Sequence, residues 1–295
     1  MASASRRARA MAGGALLIAI VGGALAQGAD VPYVPTPAKV VEVMLGMAQV
    51  GPKDYLIDLG SGDGRIVITA AKKYGTRGLG VDIDSALVAE AQREARRQGV
   101  SDKVTFALRN LFITDISQAN VVTMYLFPQV NMALRPRLLQ ELKPGTRVVS
   151  HEFDMDDWQP DERVRVPVPD KPYGAPSSDV FLWIVPADAS GRWRWRMPGA
   201  AAEDVVTLRQ RFQMLEGEGT VAGRAARWGG GRVRGEAVRF TFVTDVEGRA
   251  VQHEFAGRID GDAIRGTAMA REGGRHDWHA TRTARGTMQV SAIVR

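Results

Sequence analysis

The chain has 295 residues, of which 45% are hydrophobic and 24% charged, enough apolar material for a sizeable core and too much for a disordered protein. It has no cysteine, which excludes disulfides, thiolate metal sites and cysteine nucleophiles. The formal charge of +6 is uneven: residues 1–189 hold 21 basic and 21 acidic side chains, whereas residues 190–295 hold 18 arginines and 12 acids. The basic surplus of the last third either marks an anionic partner or reflects a general preference for arginine.

Arg6, Arg7 and Arg9 precede an apolar run from Met11 to Ala26. That is the pattern of a secretory signal peptide over 1–26, with cleavage expected after Ala26 and an uncleaved membrane anchor as the alternative. Positive charge ahead of the apolar run predicts an exported, periplasmic protein or one anchored by its N-terminus. From Lys39 the chain alternates between helical and strand periodicity. A helix is expected over Lys39–Val50, a buried strand over Tyr55–Leu59, a helix over Arg65–Tyr74, a strand over Gly78–Asp82 and a helix over Ser85–Gln98 closed by Gly99. Strands follow at Val104–Leu108, Asn120–Tyr125 and Thr146–His151, with a helix over Met132–Leu142 before the last. The fold class is therefore α/β, a doubly wound, mostly parallel sheet spanning a domain at 31–186. Arg163–Val168 and Val180–Val185 are expected to close its edge as an antiparallel pair. Beyond Pro186 short alternating segments and glycine-rich turns predict a second, β-rich domain over 190–295, a meander or small barrel. Within it "RVRGEAVRFT" (232–241) echoes "RIDGDAIRGT" (258–267), as two copies of one hairpin would.

The stretch "YLIDLGSGDGRIV" (55–67) sets Gly60, Gly62 and Gly64 in a turn between strand and helix, where backbone can bend sharply and a ligand can approach closely. The dinucleotide fingerprint needs a third small residue at position 65, and that position is Arg65. The pattern is instead acid-x-G-x-G-x-G, followed by Asp82 at the end of the next strand. An acid there can accept both ribose hydroxyl protons, and Asp58 beside the turn suits an ammonium and not a pyrophosphate. A ribose at one end and an ammonium at the other describe S-adenosyl-L-methionine (SAM).

"DLGSGDGRIVITAA" with "GVDID" resembles the SAM-binding motif and ribose-binding acid of the class I, seven-β-strand methyltransferases. "VPYVPTP" (31–37), "GDGRIV" (62–67), "VVTMYLFPQVN" (121–131) and "LKPGTRVVSHEF" (142–153) are similar to the lysine methyltransferases of the ATP synthase c subunit and the adenine nucleotide translocase, with their bacterial relatives. The resemblance implies that Asp58, Gly60, Ser61, Gly62 and Gly64 wrap the methionine end of SAM. It implies further that Asp82 holds the ribose, and that Asn110 stands where relatives often carry an acid contacting the adenine amine. Tyr125–Pro128 fall in the family's substrate-facing loop. The β-rich tail and the leader depart from that pattern.

A lysine acceptor must lose its proton before attack, so Tyr33 and Tyr125 are the expected catalytic residues, with His151-Glu152 as a possible proton acceptor or merely a satisfied polar pair. A protein substrate, membrane-associated or not, is the expected partner; no nucleic acid and no metal are expected. His276 and His279 lie at an odd spacing that sends them to opposite faces of a strand, and Trp193, Trp195 and Trp228 are expected to be core aromatics. The rival readings are a non-catalytic SAM- or nucleoside-binding module, and a degenerate scaffold carrying a working barrel.

Overall fold

The computed structural model describes residues 33–171, 174–197, 202–270 and 274–290; the leader expected at 1–26 lies outside them. A short N-terminal unit runs through Val34, and a compact unit spans Pro35–Arg295. Among the described residues no helix is long and apolar enough to cross a membrane.

The first half is built as β1 (Tyr55–Leu59), β2 (Arg77–Asp82), β3 (Val104–Leu108), β4 (Val121–Met124), β5 (Arg147–His151), β6 (Glu162–Pro167) and β7 (Ser177–Ile184). They pair in the order β3-β2-β1-β4-β5-β7-β6, parallel through β5, with β7 antiparallel to β5 and β6 antiparallel to β7. The doubly wound sheet and its antiparallel edge pair are thus as expected. Helices α1 (Ala38–Met47), α2 (Arg65–Tyr74) and α3 (Ser85–Arg97) pack on one face through residues such as Val41, Leu45, Val67, Ala71 and Ala91. The other face is covered by Leu134, Leu138 and Leu139 of α4 (Pro128–Glu141), together with Trp158 and Phe212.

Local signals set these boundaries. Gly64 and Gly75 flank α2, both left-handed (φ 79° and 70°). Asp84 caps α3 by accepting from the Ala86 and Leu87 amides. The helix expected from Met132 begins four residues earlier, because Pro128 fits the first turn, where its missing N–H has no partner to lose.

The second half, after Pro186, is a closed barrel. Its strands are β8 (Gly191–Trp195), β9 (Asp204–Arg211), β10 (Met214–Val221), β11 (Arg224–Arg234), β12 (Ala237–Val246), β13 (Arg249–Asp260), β14 (Ala263–Ala270) and β15 (Gly274–Arg285). Each pairs antiparallel with the next, and β15 pairs back onto β8, so no edge is left open. The two echoed segments are equivalent hairpins, β11–β12 and β13–β14, turning at Gly235 and Gly261 with φ near-identical at 58° and 57°. Inside, Trp195, Phe240, Phe255 and Trp278 pack with ring centroids 5.0 to 6.4 Å apart. His279 faces out with Asp277, while Trp278 between them is buried.

One end of the barrel is closed by Arg282 on β15, whose guanidinium lies 4.4 Å over the Trp193 ring and donates to the carbonyls of Ser190 (2.7 Å), Asp188 (2.6 Å) and Gly261 (3.2 Å). Removing it takes a donor from the Asp188 and Gly261 carbonyls, leaves the Ser190 carbonyl only the Gly286 amide, and uncovers an indole face. Arg282→Ala is expected to destabilise the chain by about 2–4 kcal/mol, read as a lower midpoint in urea with loss of the Trp193 near-ultraviolet dichroism.

Candidate active site

The strand order reverses between β1 and β4, and most of the residues picked out in the sequence gather at the carboxyl ends of these strands and of β2. Asp58 on β1 is 2% exposed. Thr123, its register partner on β4, donates to Oδ1 at 2.7 Å. Burial raises the Asp58 pKa, the Thr123 bond opposes the rise, and the charges of Asp82 and Asp63 add to it, so the carboxyl is pushed up to about 7. The site therefore has room, electrostatically, for a cation against Asp58.

The glycine loop explains why. Its amides are already spent: those of Gly60 and Ser61 both donate to the Val81 carbonyl at 2.9 Å, Gly62 donates to Asp82 Oδ2, Gly64 to the Ser61 carbonyl, and Arg65 to Asp63 Oδ1. A phosphate would find few donors here and three nearby carboxylates. The turn thus offers a ligand acceptors in place of free amides. Gly60 and Gly64 adopt φ of 79°. A Cβ on Gly64 would stand 2.6 Å from the Phe106 ring, and one on Gly60 would stand 2.8 Å from the Leu126 side chain, so both positions need glycine. The same approach shows that the loop after β4 lies directly against the glycine turn.

Asp82, half-buried at the end of β2, accepts the Gly62 amide on Oδ2 (2.9 Å) and the Asp84 amide on Oδ1 (3.0 Å). Each oxygen keeps a second lone pair for a hydroxyl. Asn110 is exposed after β3 and uses Oδ1 to cap the single 3-10 turn Leu111–Ile113 through the Phe112 amide (2.8 Å), which leaves its NH2 group and one lone pair for a ligand. Around these polar groups stand exposed apolar side chains, Ile83, Leu108 and Phe112, at the ends of β2 and β3. Ser61 Oγ is buried without a hydrogen-bond partner among the described residues.

Tyr125 and Phe127, following β4, face Phe153, following β5, with centroids 6.3 and 6.2 Å apart, and Tyr125 packs 4.0 Å from the His151 ring. His151 is fully buried; its Nδ1 lies 3.2 Å from Thr36 Oγ1 and its Nε2 3.5 Å from a Glu152 carboxylate already bound to Lys171. Desolvation brings the imidazole pKa down to about 4, against the smaller opposing pull of Glu152. An imidazole with so low a pKa is a weak base, and its ring packs against Tyr125. Tyr33 belongs to the N-terminal unit and is 45% exposed.

Thr123, Thr36 and Phe153 were not picked out as site residues in the sequence, and Arg65 was read there only as a break in the dinucleotide fingerprint. Arg65, the residue that broke the dinucleotide fingerprint, forks onto Asp63 and donates to the Thr36 carbonyl at 2.9 Å, tying the segment ahead of α1 to the glycine turn. A lone threonine in the apolar strand "VVTMY" was the available signal for Thr123.

Buried acid, ribose-competent acid, apolar rim and spent amides fit SAM. Its cationic methionine end would lie toward Asp58 and its ribose toward Asp82. The sheet and site together define a SAM-dependent methyltransferase. The sequence profile of the ANTKMT methyltransferase domain matches residues 58–162. A protein-lysine N-methyltransferase from Saccharolobus islandicus (strain REY15A) is 50% identical over 156 residues, 52% of this chain and 94% of its own length. The adenine nucleotide translocase lysine N-methyltransferase of Mus musculus is 38% identical over 132 residues, 44% of this chain and 57% of its own. Among solved structures, an RNA methyltransferase from Salinibacter ruber in complex with S-adenosyl-L-homocysteine is 49% identical, with 52% of this chain and 95% of that one covered at a TM-score of 0.48. The chain belongs to the ANTKMT methyltransferase family, and SAM is its methyl donor.

The raised pKa of Asp58 has a measurable sign. Between about pH 4 and pH 7 the unfolded chain ionises this group while the folded, ligand-free chain holds its proton, so stability falls as pH rises through that window. Asp58→Asn is expected to raise the melting temperature of the ligand-free protein at pH 8, where it relieves up to roughly 4 kcal/mol, and to leave it nearly unchanged at pH 4. A melting series across pH reads both.

Proposed function

We propose that this chain transfers a methyl group from SAM to the amine of protein lysines. The observation that carries this reading is the 50% identity to a protein-lysine N-methyltransferase along 94% of that relative's length. The cluster of Tyr125, Phe127 and Phe153 on the loops after β4 and β5 supports it, with Leu126 of the same loop as Tyr125 lying against the glycine turn.

SAM supplies a methyl group on a positively charged sulfur, open to in-line attack. In this reading Asp58 meets the ammonium of the donor, the turn of Gly60, Ser61, Gly62 and Gly64 gives it close backbone, Asp82 accepts the ribose hydroxyls, and Asn110 with Ile83, Leu108 and Phe112 borders the adenine. The chain's part in the transfer is alignment and exclusion of water. An incoming lysine, with an ordinary pKa near 10.4, loses its proton as its stem is desolvated among Tyr125, Phe127 and Phe153, where the neutral amine is favoured. Aromatic faces also suit an amine that gathers methyl groups and keeps a charge. Tyr33 is kept as a catalytic candidate on the resemblance of "PYVPT".

The division into a methyltransferase domain at 31–186 and a β-rich domain at 190–295 is part of this proposal. So is an exported or N-terminally anchored placement, supported by the arginines ahead of the apolar run at 11–26.

Two measurements test it. Calorimetric titration of SAM into the wild-type protein is expected to give a micromolar dissociation constant, weakened at least about 100-fold in Asp82→Ala, since two ribose hydroxyl bonds to a charged acceptor are lost. Incubation of the full chain with S-adenosyl-[methyl-3H]methionine and a cell protein extract, followed by acid hydrolysis, is expected to place the label on Nε-methylated lysines. Label found in RNA or on another residue type overturns the lysine assignment, and absence of SAM binding overturns the reading as a whole.

A further inference from the structure

We infer that the barrel is a working part of the acceptor site: the β9–β10 hairpin, through Phe212 and Arg211, positions the loop after β5 that carries Phe153. This rests on the reading that Phe153 flanks the acceptor.

Phe212 and Gln213 form the two-residue turn between β9 and β10, and Phe212 adopts φ 51°. Hairpin turns fill such positions with glycine, asparagine or aspartate, because a bulky side chain there is strained. The strain is tolerated where the ring does something, and this ring leaves the barrel altogether. It is 3% exposed and packs in the core of the other half, stacked on Trp158 at 6.1 Å and 16°, while the indole N–H of Trp183 donates to the Trp158 carbonyl at 2.7 Å. The guanidinium of Arg135 on α4 lies 5.0 Å over one side of the ring, and that of Arg211 lies 5.7 Å away.

Both arginines converge on Asp157. Arg135 binds one carboxylate oxygen, and Arg211 binds the other at 2.5 Å. Burial would raise the pKa of Asp157, and the two guanidinium bonds outweigh burial and hold it below the usual carboxylate range. The loop between β5 and β6 is therefore gripped along its length. Asn131 of α4 donates to the Phe153 carbonyl (3.2 Å) and the Asp154 carbonyl (3.3 Å), and Ser150 donates to the Phe153 carbonyl at 2.6 Å. Arg135 donates to the Met155 carbonyl at 3.0 Å. Beyond Trp158, Gln213 donates to the Gln159 carbonyl at 2.6 Å. The α4 contacts reach the loop from the sheet half, and Arg211, Phe212 and Gln213 reach it from the barrel. The path from turn to ring is short: Phe212 fixes Trp158, Arg211 fixes Asp157, and Phe153 stands four residues before Asp157 on the same loop.

The hairpin itself is tied to the linker. Buried Gln210 accepts the Ala189 amide on its carbonyl oxygen (2.6 Å) and donates from its NH2 group to the carbonyls of Ala187 (3.0 Å) and Phe212 (2.7 Å), so linker and turn are tied at one side chain. A tether that merely placed the enzyme would need no such wedge. Phe212, Arg211 and Asp157 are positioning residues, since they reach the acceptor only through Phe153.

The test uses the full chain and Phe212→Gly, which relaxes the turn and removes the buried ring, with Phe212→Leu as the conservative variant and Arg211→Gln as a second route to the same loop. The readouts are SAM affinity by calorimetry, amide hydrogen exchange over residues 152–158, and the rate of tritium transfer from labelled SAM as the protein extract is diluted. The expected result for Phe212→Gly is SAM affinity within twofold of wild type and exchange over 152–158 at least tenfold faster. Transfer should fall tenfold or more, most of it as a higher KM for the extract; Phe212→Leu recovers half or more of the transfer, and Arg211→Gln moves exchange and transfer in the same direction with SAM affinity within twofold of wild type. Transfer within twofold of wild type, a parallel loss of SAM affinity, or unchanged exchange over 152–158 each overturns the proposal. If the wild-type chain labels something other than lysine, the lysine assignment falls, and the comparison is made on that product. The exchange criterion applies whether or not transfer is seen.

Discussion

Asp58 is a carboxylate withdrawn from water at the carboxyl end of the central strand, met there by the Thr123 hydroxyl and repelled by two other acids. Its burial follows from the sheet: a residue next to the last position of β1, flanked by β2 and β4, is left only 2% exposed. The consequence is an apo site that favours protonation or the arrival of a cation. Everything else at this end of the sheet conforms to that demand. The loop amides turn inward onto Val81, Asp82 and one another, so the loop shows carboxylates to the cleft and no anion-binding nest forms.

That arrangement separates this turn from the phosphate-binding turns it resembles in outline. Both use glycines at a strand-to-helix switch, and the chemistry differs by where the N–H groups point. Arg65 is the clearest marker of the difference. In place of a small residue packing helix on strand, a guanidinium reaches across to Asp63 and the Thr36 carbonyl, and the segment leading into α1 becomes part of the site wall.

The second half of the chain is bound to the first by more than a linker. Phe212 belongs to the core beneath β5 and β7, Asp161 next to β6 binds Arg232 of β11, and Gly235 accepts the Ala187 amide. A sheet covered by α1, α2 and α3 on one face and by α4 on the other thus draws on the barrel to complete the second. The acidic anchors Asp157 and Asp161 lie on the sheet half and their arginines include barrel residues, which accounts for part of the arginine surplus without any outside partner.

The alternation of helix and strand, the glycine turn with Asp58 and Asp82, and the echoed hairpins were legible in the sequence, because each rests on spacing within about ten to thirty neighbouring residues. Helix edges moved where local chemistry offered a better start, as at Pro128. The partners of the site were not legible: Thr123 meets Asp58 across 65 positions, His151 meets Thr36 across 115, and which nitrogen of which loop points inward is a matter of backbone torsion. Nor could any periodicity reveal that Phe212, a turn residue by its place between two strands, would be buried in the other half of the chain. The sequence by itself determined the elements, the donor and the two acids that suit it, since those follow from residue type and near spacing. Only the tertiary structure decided that the barrel closes on itself, that His151 is held neutral, and that the hairpin reaches the loop after β5, since burial and long-range contact exist only once the chain is folded.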